Sequence, residues 1–212
     1  MPELSQSIDK ERETGPMHIF ICDFLLDIVQ NSFEAGSTEV LLTLEEDDTL
    51  LACTIEDNGK GMDEDLKARV LDPFVTDGVK HKKRKVGLGL PFLVQATTAC
   101  EGSFSLHSEL GRGTKVTCSF PLNNVDTPPF GDLPSTLLAL MSHPLADELV
   151  VKRTLATVKG EGGYELSKRE LTDILGQLSS SGTLNLLKGF LESQEEDLKP
   201  LYVHHSPLFH TT

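Results

Sequence analysis

The chain has 212 residues, enough for one well-buried domain of the common size of roughly 100–150 residues and a smaller addition. It contains 33 Asp and Glu residues against 19 Lys and Arg, which gives a formal net charge of −14 at pH 7. This negative field repels nucleic acid and anionic lipid, so we expect neither as a partner.

The beginning of the sequence lacks the features of a secretory signal. Residues 1–13 are polar and charged, with no basic segment followed by an apolar one. The most apolar run, residues 19–29, contains Asp23 and Asp27 and is shorter than the roughly 20 apolar residues that span a bilayer. The four cysteines form no C-x-x-C pair and have apolar or strand-type neighbours, which indicates buried thiols. We therefore expect a protein of the reducing cytoplasm.

The first predicted element is a helix. Thr14 or Gly15 suits its N-cap, Pro16 suits its first turn, and Gly36 suits its end. Polar residues recur in it at helical spacing and form one stripe on an otherwise apolar helix. The stripe consists of Asp23, Asp27, Gln30, Asn31 and Glu34.

Strands and shorter helices follow. Residues 38–44 and 50–56 have strand-type composition and flank an acidic turn, which predicts a hairpin. The next predicted elements are a short helix (63–71), a basic loop (76–85), an apolar helix (90–100) that ends at Gly102, and a second hairpin (103–108 with 114–120).

The composition changes at residues 123–134 to Asn, Asp, Pro and Gly, which predicts a linker. Beyond it we expect a strand (148–158), a turn (160–163) and two helices (168–178 and about 183–191). The predicted organisation is a polar N-terminal segment (1–16), a main domain (17–122), the linker (123–134), a small α+β region (135–200) and a tail (201–212).

Three clusters in the main domain suit different parts of a nucleotide. Residues 57–62 place a carboxylate at a strand end, followed by glycines that let a flat ligand approach the backbone. Residues 87–90 place two glycines at a helix start, where free amides and the helix dipole attract phosphate. Asp27 and Asn31, one helical turn apart, can hold Mg²⁺ and orient a nucleophile. Each cluster alone also fits a plain turn, a helix start or a solvated helix face.

In order and spacing these clusters resemble the GHKL ATPases, the superfamily of gyrase B, the heat-shock chaperone, the mismatch-repair ATPases and histidine kinases. The resemblance covers about residues 17–122. The matching segments are the N box (27–36, DIVQNSFEAG), the first glycine box (57–62, DNGKGM), the F box (72–74, DPF) and the second glycine box (87–90, GLGL) with the strand start after it (111–114, GRGT).

The resemblance implies a Bergerat fold, a two-layer α/β sandwich with a mixed sheet and helices on one face, here with a small C-terminal α+β appendage. It implies ATP and Mg²⁺ as ligands. Asp57 would bind the adenine amino group with support from Thr114, Gly61 would let the base lie close, and Asn31 would coordinate the metal. Residues 81–85 fall in the ATP lid, where cationic side chains reach phosphates. The expected nucleotide contacts are Asn31, Asp57, Gly59, Gly61, Met62, Lys82, Lys83, Arg84, Lys85, Gly87, Leu88, Gly89 and Thr114.

Asp27 is the expected catalytic residue. It stands where many members of the superfamily carry the Glu that polarises the attacking water, and it is one methylene shorter. No histidine in the chain is followed by Glu or Asp, as a phosphoacceptor histidine usually is, so we do not expect a self-contained sensor kinase.

Two functions stay open at this stage. One is an enzyme that hydrolyses ATP or phosphorylates a separate protein. The other is an ATP-sensing regulatory subunit that controls a protein partner through residues 135–200. A homodimer is also left open.

Overall fold

The computed structural model describes residues 20–71 and 89–202. In chain order the elements are α1 (Ile21–Glu34), β1 (Glu39–Asp47), β2 (Leu50–Asp57), α2 (Glu64–Val70), α3 (Gly89–Ala99), β3 (Ser103–Glu109), β4 (Gly113–Pro121), α4 (Leu133–Met141), β5 (Glu148–Thr157), β6 (Gly160–Ser167), α5 (Lys168–Leu175), α6 (Ser181–Leu198) and a 3-10 turn (Lys199–Leu201).

The strands form one mixed sheet in the order β3-β4-β2-β1-β5-β6. The strands β1 and β5 are parallel, and every other neighbouring pair is antiparallel. The C-terminal α+β region therefore contributes its strands to the same sheet as the main domain. The residue pairing across the sheet aligns the end of β2 with the start of β4. The candidate site lies at this end of the two strands.

One face of the sheet is buried. Alternate residues of a strand point to opposite faces, so the buried residues of the central strands lie on the same face. The helices supply the other half of the core, mainly through α1, α3, α4 and α6. This confirms the predicted α/β fold. Within the described ranges, no helix combines the length and apolar character needed to cross a bilayer. The buried apolar residues of β1, β2, β4 and β5 are Val40, Leu42, Leu44, Leu51, Cys53, Ile55, Val116, Cys118, Phe120, Leu149, Val151 and Leu155.

The helix α1 begins later than predicted. Phe20 is its N-cap, in an extended conformation, and Ile21 is its first residue; the predicted caps Thr14 and Gly15 lie outside the described residues. The amides of Ile21 and Cys22 donate to carbonyls of residues 129 and 130, at 2.9 and 2.8 Å. These donors are thus satisfied by a distant segment rather than by a local cap, which a sequence pattern does not reveal.

The segment predicted as a linker packs against α1. Phe130 within it is buried, and its carbonyl accepts the hydrogen bond from Cys22. The helix α4, which the sequence analysis did not predict, starts at Leu133, within the last two residues of this segment. Asp132 is its N-cap and accepts from the Ser135 amide at 3.0 Å, and Pro134 lies in the first turn. Pro134 falls in the predicted linker because proline is common in linkers, but proline is equally favourable in the first turn of a helix.

The C-terminal region also differs from its prediction in two places. Residues 160–163 were predicted as a turn but begin β6, and α6 continues through the acidic residues 192–197. A Cβ on Gly163 would lie 2.2 Å from the carbonyl oxygen of Arg153. Glycine is therefore required here because two strands approach closely, a role that composition alone does not distinguish from a turn.

A buried charged cluster joins the C-terminal elements to β1. Arg153 of β5 forms an ion pair with Glu46, and their side chains are 0% and 1% exposed. Arg153 also donates to the Tyr202 hydroxyl at 2.8 Å, and its Nε lies 3.7 Å from Glu195 Oε1, which accepts from the Tyr164 hydroxyl at 2.7 Å. Burial alone would lower the pKa of Arg153, but the surrounding groups, Tyr202 and Glu46 first, outweigh it and hold the pKa above its ordinary value. Arg153 is therefore a permanently charged link between β1, β5 and α6.

The cysteines are all buried and free, as the sequence analysis predicted for thiols of the core. Burial raises the pKa of Cys22 to about 12, so its thiol stays protonated at neutral pH. These four residues, Cys22, Cys53, Cys100 and Cys118, act as small apolar side chains of the core.

Candidate functional site

The site is organised around Asp57 at the end of β2. Its side chain is nearly buried, at 9% exposure, and both carboxylate oxygens accept hydrogen bonds. The Ser32 hydroxyl on α1 donates to Oδ2 at 2.7 Å, and the Gly59 amide donates to Oδ1 at 2.8 Å. The carboxylate is thus held in one orientation, as an acceptor, between the sheet and α1.

Asp57 belongs to a row of three polar residues on neighbouring strands. It pairs directly with Thr114 of β4, and Thr114 pairs directly with Ser108 of β3. Residues directly opposite in an antiparallel pair share one face of the sheet. The hydroxyl oxygens of Ser108 and Thr114 are 2.9 Å apart. The structure therefore brings together Asp57 and Thr114, two residues that the sequence analysis assigned to one ligand.

The loop after Asp57 is fixed on both sides. The Lys60 amide donates to the Ala35 carbonyl at the end of α1 at 3.1 Å, and the Lys60 carbonyl accepts from the Gly111 amide at 2.7 Å. The Met62 amide donates to Ser108 Oγ at 2.8 Å. This loop therefore joins the end of α1 to the β3–β4 hairpin directly after Asp57.

Two glycines of the predicted motifs are required by backbone packing. Gly61 has φ of +63°, and a Cβ on it would lie 2.0 Å from the Glu109 carbonyl oxygen. Gly113 has φ of +107°, and its Cβ would lie 1.9 Å from the Asp57 carbonyl oxygen. Both residues allow the loop and the hairpin to approach each other. The predicted role of Gly61 in letting a base lie close stays a prediction.

The helix α1 carries the predicted metal and catalytic side chains. Asp27 is half-buried and Asn31, one turn later, is exposed. The start of α3 packs against Asp27, since a Cβ on Gly89 would lie 3.0 Å from Asp27 Cβ and 3.1 Å from Oδ2. The positive end of the α3 dipole is thus beside this carboxylate. Six predicted residues, Lys82, Lys83, Arg84, Lys85, Gly87 and Leu88, lie outside the described residues, as does the F box at 72–74.

Ser32 and Ser108 were not identified from the sequence, although both contact predicted site residues. Ser32 follows Asn31 directly, so its position in the N box was the available signal. Ser108 precedes the 111–114 segment by only three residues, but its contact with Met62 joins positions 46 residues apart. Neither the residue type nor the spacing of these serines indicates a contact with the site, and only the folded structure shows it.

Comparison with known proteins assigns the chain to a family. Residues 18–124, about half of the chain, match the family described as histidine kinase-, DNA gyrase B- and HSP90-like ATPases. The chain belongs to this family. The match runs from α1 to the end of β4 and includes Asp27, Asn31, Asp57 and Thr114. Membership confirms the resemblance to the GHKL superfamily.

Similar curated proteins are histidine kinases and sensors. The osmosensing histidine protein kinase SLN1 of Saccharomyces cerevisiae is 33% identical over 102 residues, which cover 47% of this chain and 8% of that protein. The signal transduction histidine-protein kinase AtoS of Escherichia coli is 33% identical over 102 residues, covering 47% of this chain and 16% of that protein. The chain thus spans a small part of the length of the relatives it matches.

Among solved structures, the catalytic domain of the histidine kinase ThkA in a nucleotide-free form is similar. The TM-score is 0.37 and the identity 22%, over 47% of this chain and 65% of that one.

Proposed function

We propose that the protein binds MgATP in the cytoplasm, with the adenine against Asp57 and Thr114. The observation that carries this proposal is the orientation of Asp57. Its carboxylate is nearly buried and receives hydrogen bonds from Ser32 and Gly59. An ionised carboxylate only accepts hydrogen bonds, so it suits the amino group of adenine, which donates them.

The remaining parts of the nucleotide find suitable groups on α1 and α3. The exposed side chain of Asn31 offers an amide oxygen, a ligand type that Mg²⁺ accepts, and the ion would bridge it to phosphate oxygens. In the part of the chain that the structure describes, no three His, Cys, Asp or Glu side chains are grouped to hold a metal ion. In this proposal Asn31 and the phosphate oxygens would hold the ion together. We further assign Lys82, Lys83, Arg84, Lys85, Gly87, Leu88 and Gly89 to the phosphates.

We propose an enzyme that hydrolyses ATP or transfers its terminal phosphoryl group to a separate protein. In this step the attacking oxygen would form a bond to the γ-phosphorus of ATP, while the bond from that phosphorus to the β–γ bridging oxygen breaks and ADP leaves. Asp27 accepts the proton of the attacking water or hydroxyl group, which matches its place beside the start of α3. Asn31, one turn away on the same helix, positions the metal ion. The identity of a protein substrate is not defined by these groups.

A second candidate, an ATP-sensing regulatory subunit, is favoured by the packing of the predicted linker (123–134) and of the C-terminal region (135–200) on α1. The Phe33 ring stacks on His143 with centroids 5.2 Å apart, and the Phe130 carbonyl accepts from Cys22. A shift of α1 on nucleotide binding would therefore reach residues 135–200, where a partner protein would bind. In this second candidate, ATP binds two conformations of the protein with different affinities. It therefore shifts the protein toward one conformation and so changes its affinity for the partner protein.

The binding proposal is tested by isothermal titration of three variants. Asp57→Asn turns an acceptor into a group that also donates, so MgATP affinity should fall by about 10- to 100-fold. Asn31→Ala should lower affinity in the presence of Mg²⁺ and change it little in its absence. Asp126→Asn removes an exposed carboxylate outside the site and serves as the control. Wild-type affinity in both site variants would refute the assignment.

A further inference from the structure

The Ser108 hydroxyl has three polar neighbours, and their chemistry fixes its hydrogen bonds. Met62 N lies 2.8 Å from it, the Gly113 carbonyl oxygen 3.0 Å, and Thr114 Oγ1 2.9 Å. A serine hydroxyl has one hydrogen and two lone pairs. The Met62 amide can only donate and takes one lone pair, while the Gly113 carbonyl can only accept and takes the hydrogen. The remaining lone pair accepts the hydrogen of the Thr114 hydroxyl.

This arrangement fixes which groups Thr114 offers to a ligand. Its single hydroxyl hydrogen is directed to Ser108, so only its lone pairs remain for a ligand or a bridging water. Thr114 lies directly opposite Asp57, whose carboxylate is also an acceptor. Two neighbouring acceptors favour a base with an amino group and disfavour one with a keto oxygen, which would face them without a hydrogen.

We propose that Ser108 is a specificity-determining residue that makes the base site select 6-amino over 6-keto purines by setting the direction of the Thr114 hydrogen bond. The inference rests on the nucleotide site proposed above. The opposite orientation, with Ser108 donating to Thr114, gives up the hydrogen bond from Ser108 to Gly113. Ser108 does not contact the base; it acts through Thr114 and is a positioning residue.

The test compares ATP with inosine triphosphate, which carries a keto oxygen in place of the 6-amino group and a hydrogen on N1, and lacks any 2-amino group. Because the N1 difference is the same for every variant, the role of Thr114 is judged from the change in the affinity ratio between variants. Affinities of both are measured by isothermal titration in the wild type and in Ser108→Ala. Without Ser108 the Thr114 hydroxyl is free to donate to a keto oxygen. The ratio of ATP to inosine triphosphate affinity should then fall about tenfold, the effect expected for one mispaired polar contact. Ser108→Thr, which keeps the hydroxyl, should restore the ratio.

A second variant and a control separate selectivity from general damage to the site. Thr114→Val removes the hydroxyl that faces the base in this proposal, so it should also lower the ratio of ATP to inosine triphosphate affinity. Adding Ser108→Ala to Thr114→Val should not change this ratio further. Ser103→Ala removes a hydroxyl at the other end of β3, where Ser103 pairs with Ser119 at 2.7 Å, and should leave the ratio unchanged.

Three results would overturn the inference. Equal losses for both nucleotides in Ser108→Ala, with the ratio unchanged, would show a purely structural role. An unchanged ratio in Thr114→Val would show that this hydroxyl does not read the base, and this holds even if Ser108→Ala fails to fold. A wild-type protein that binds neither nucleotide would overturn the proposed function together with this inference, whereas the first two results leave ATP binding intact.

Discussion

Replacing Asp27 with asparagine should leave MgATP binding near the wild-type level and lower ATP turnover by about 10²- to 10⁴-fold. Asparagine keeps the size of the side chain, so the contact with Gly89 at the start of α3 is retained. It loses the ability to take a proton from the attacking group. The measurement is the rate of phosphate release or transfer under saturating MgATP, with affinity determined separately by titration.

The control for this variant is Glu34→Gln, which neutralises an exposed carboxylate at the C-terminal end of α1 and should not change turnover. Unchanged turnover per bound ATP in Asp27→Asn would exclude Asp27 as the general base. A wild-type protein that binds MgATP without turnover, with its partner and any substrate protein present, would end the enzyme proposal and leave the regulatory subunit.

Replacing Arg153 with methionine should lower the free energy of unfolding by about 3–5 kcal/mol. The substitution keeps much of the side-chain volume but leaves the carboxylate of Glu46 buried without its charged partner. It also removes the donor to the Tyr202 hydroxyl, which ties the end of the α6 region to the sheet. Equilibrium unfolding in urea, followed by circular dichroism, measures the loss.

Two further variants test the reason for this loss. The double variant Arg153→Met with Glu46→Leu removes both charges and should recover much of the stability, because a buried ion pair is often replaceable by apolar groups. Lys115→Met breaks an exposed cross-strand ion pair with Glu56, whose side chains are 49% and 52% exposed, and should cost less than about 1 kcal/mol. A cost for Arg153→Met no larger than that of Lys115→Met would contradict the account.

The features predictable from the sequence were those that depend on local patterns. Runs of strand-type composition predicted β1 to β5, and the first two of these form the hairpin that ends in Asp57. Two glycines before an apolar run predicted a helix from residue 90, and α3 begins one residue earlier, at Gly89. The pairing of Asp57 with Thr114 followed from the resemblance to a known family, since neither residue indicates the other through spacing alone.

The features that escaped prediction depend on contacts between distant parts of the chain. Ser32 binds Asp57 across 25 residues, and Ser108 binds Met62 across 46. The glycines that begin β6 are predicted as a turn, but Gly163 lies close to the backbone of β5 and Gly162 lies close to Leu201 of the C-terminal 3-10 turn. No local pattern around Arg153 predicts its burial, because its partners Glu46, Tyr202 and Glu195 are distant in the sequence, Glu46 by 107 residues.

The most direct test of the central claim is amide hydrogen exchange of the wild-type protein with and without saturating MgATP. A nucleotide on the Asp57 and Thr114 row contacts the loop and the hairpin that the row connects, and bound ligand slows local opening there. Exchange should therefore slow most in residues 57–62 and 108–114. Unchanged exchange in both segments under conditions in which MgATP is bound would contradict the account, because the nucleotide would then occupy a different site.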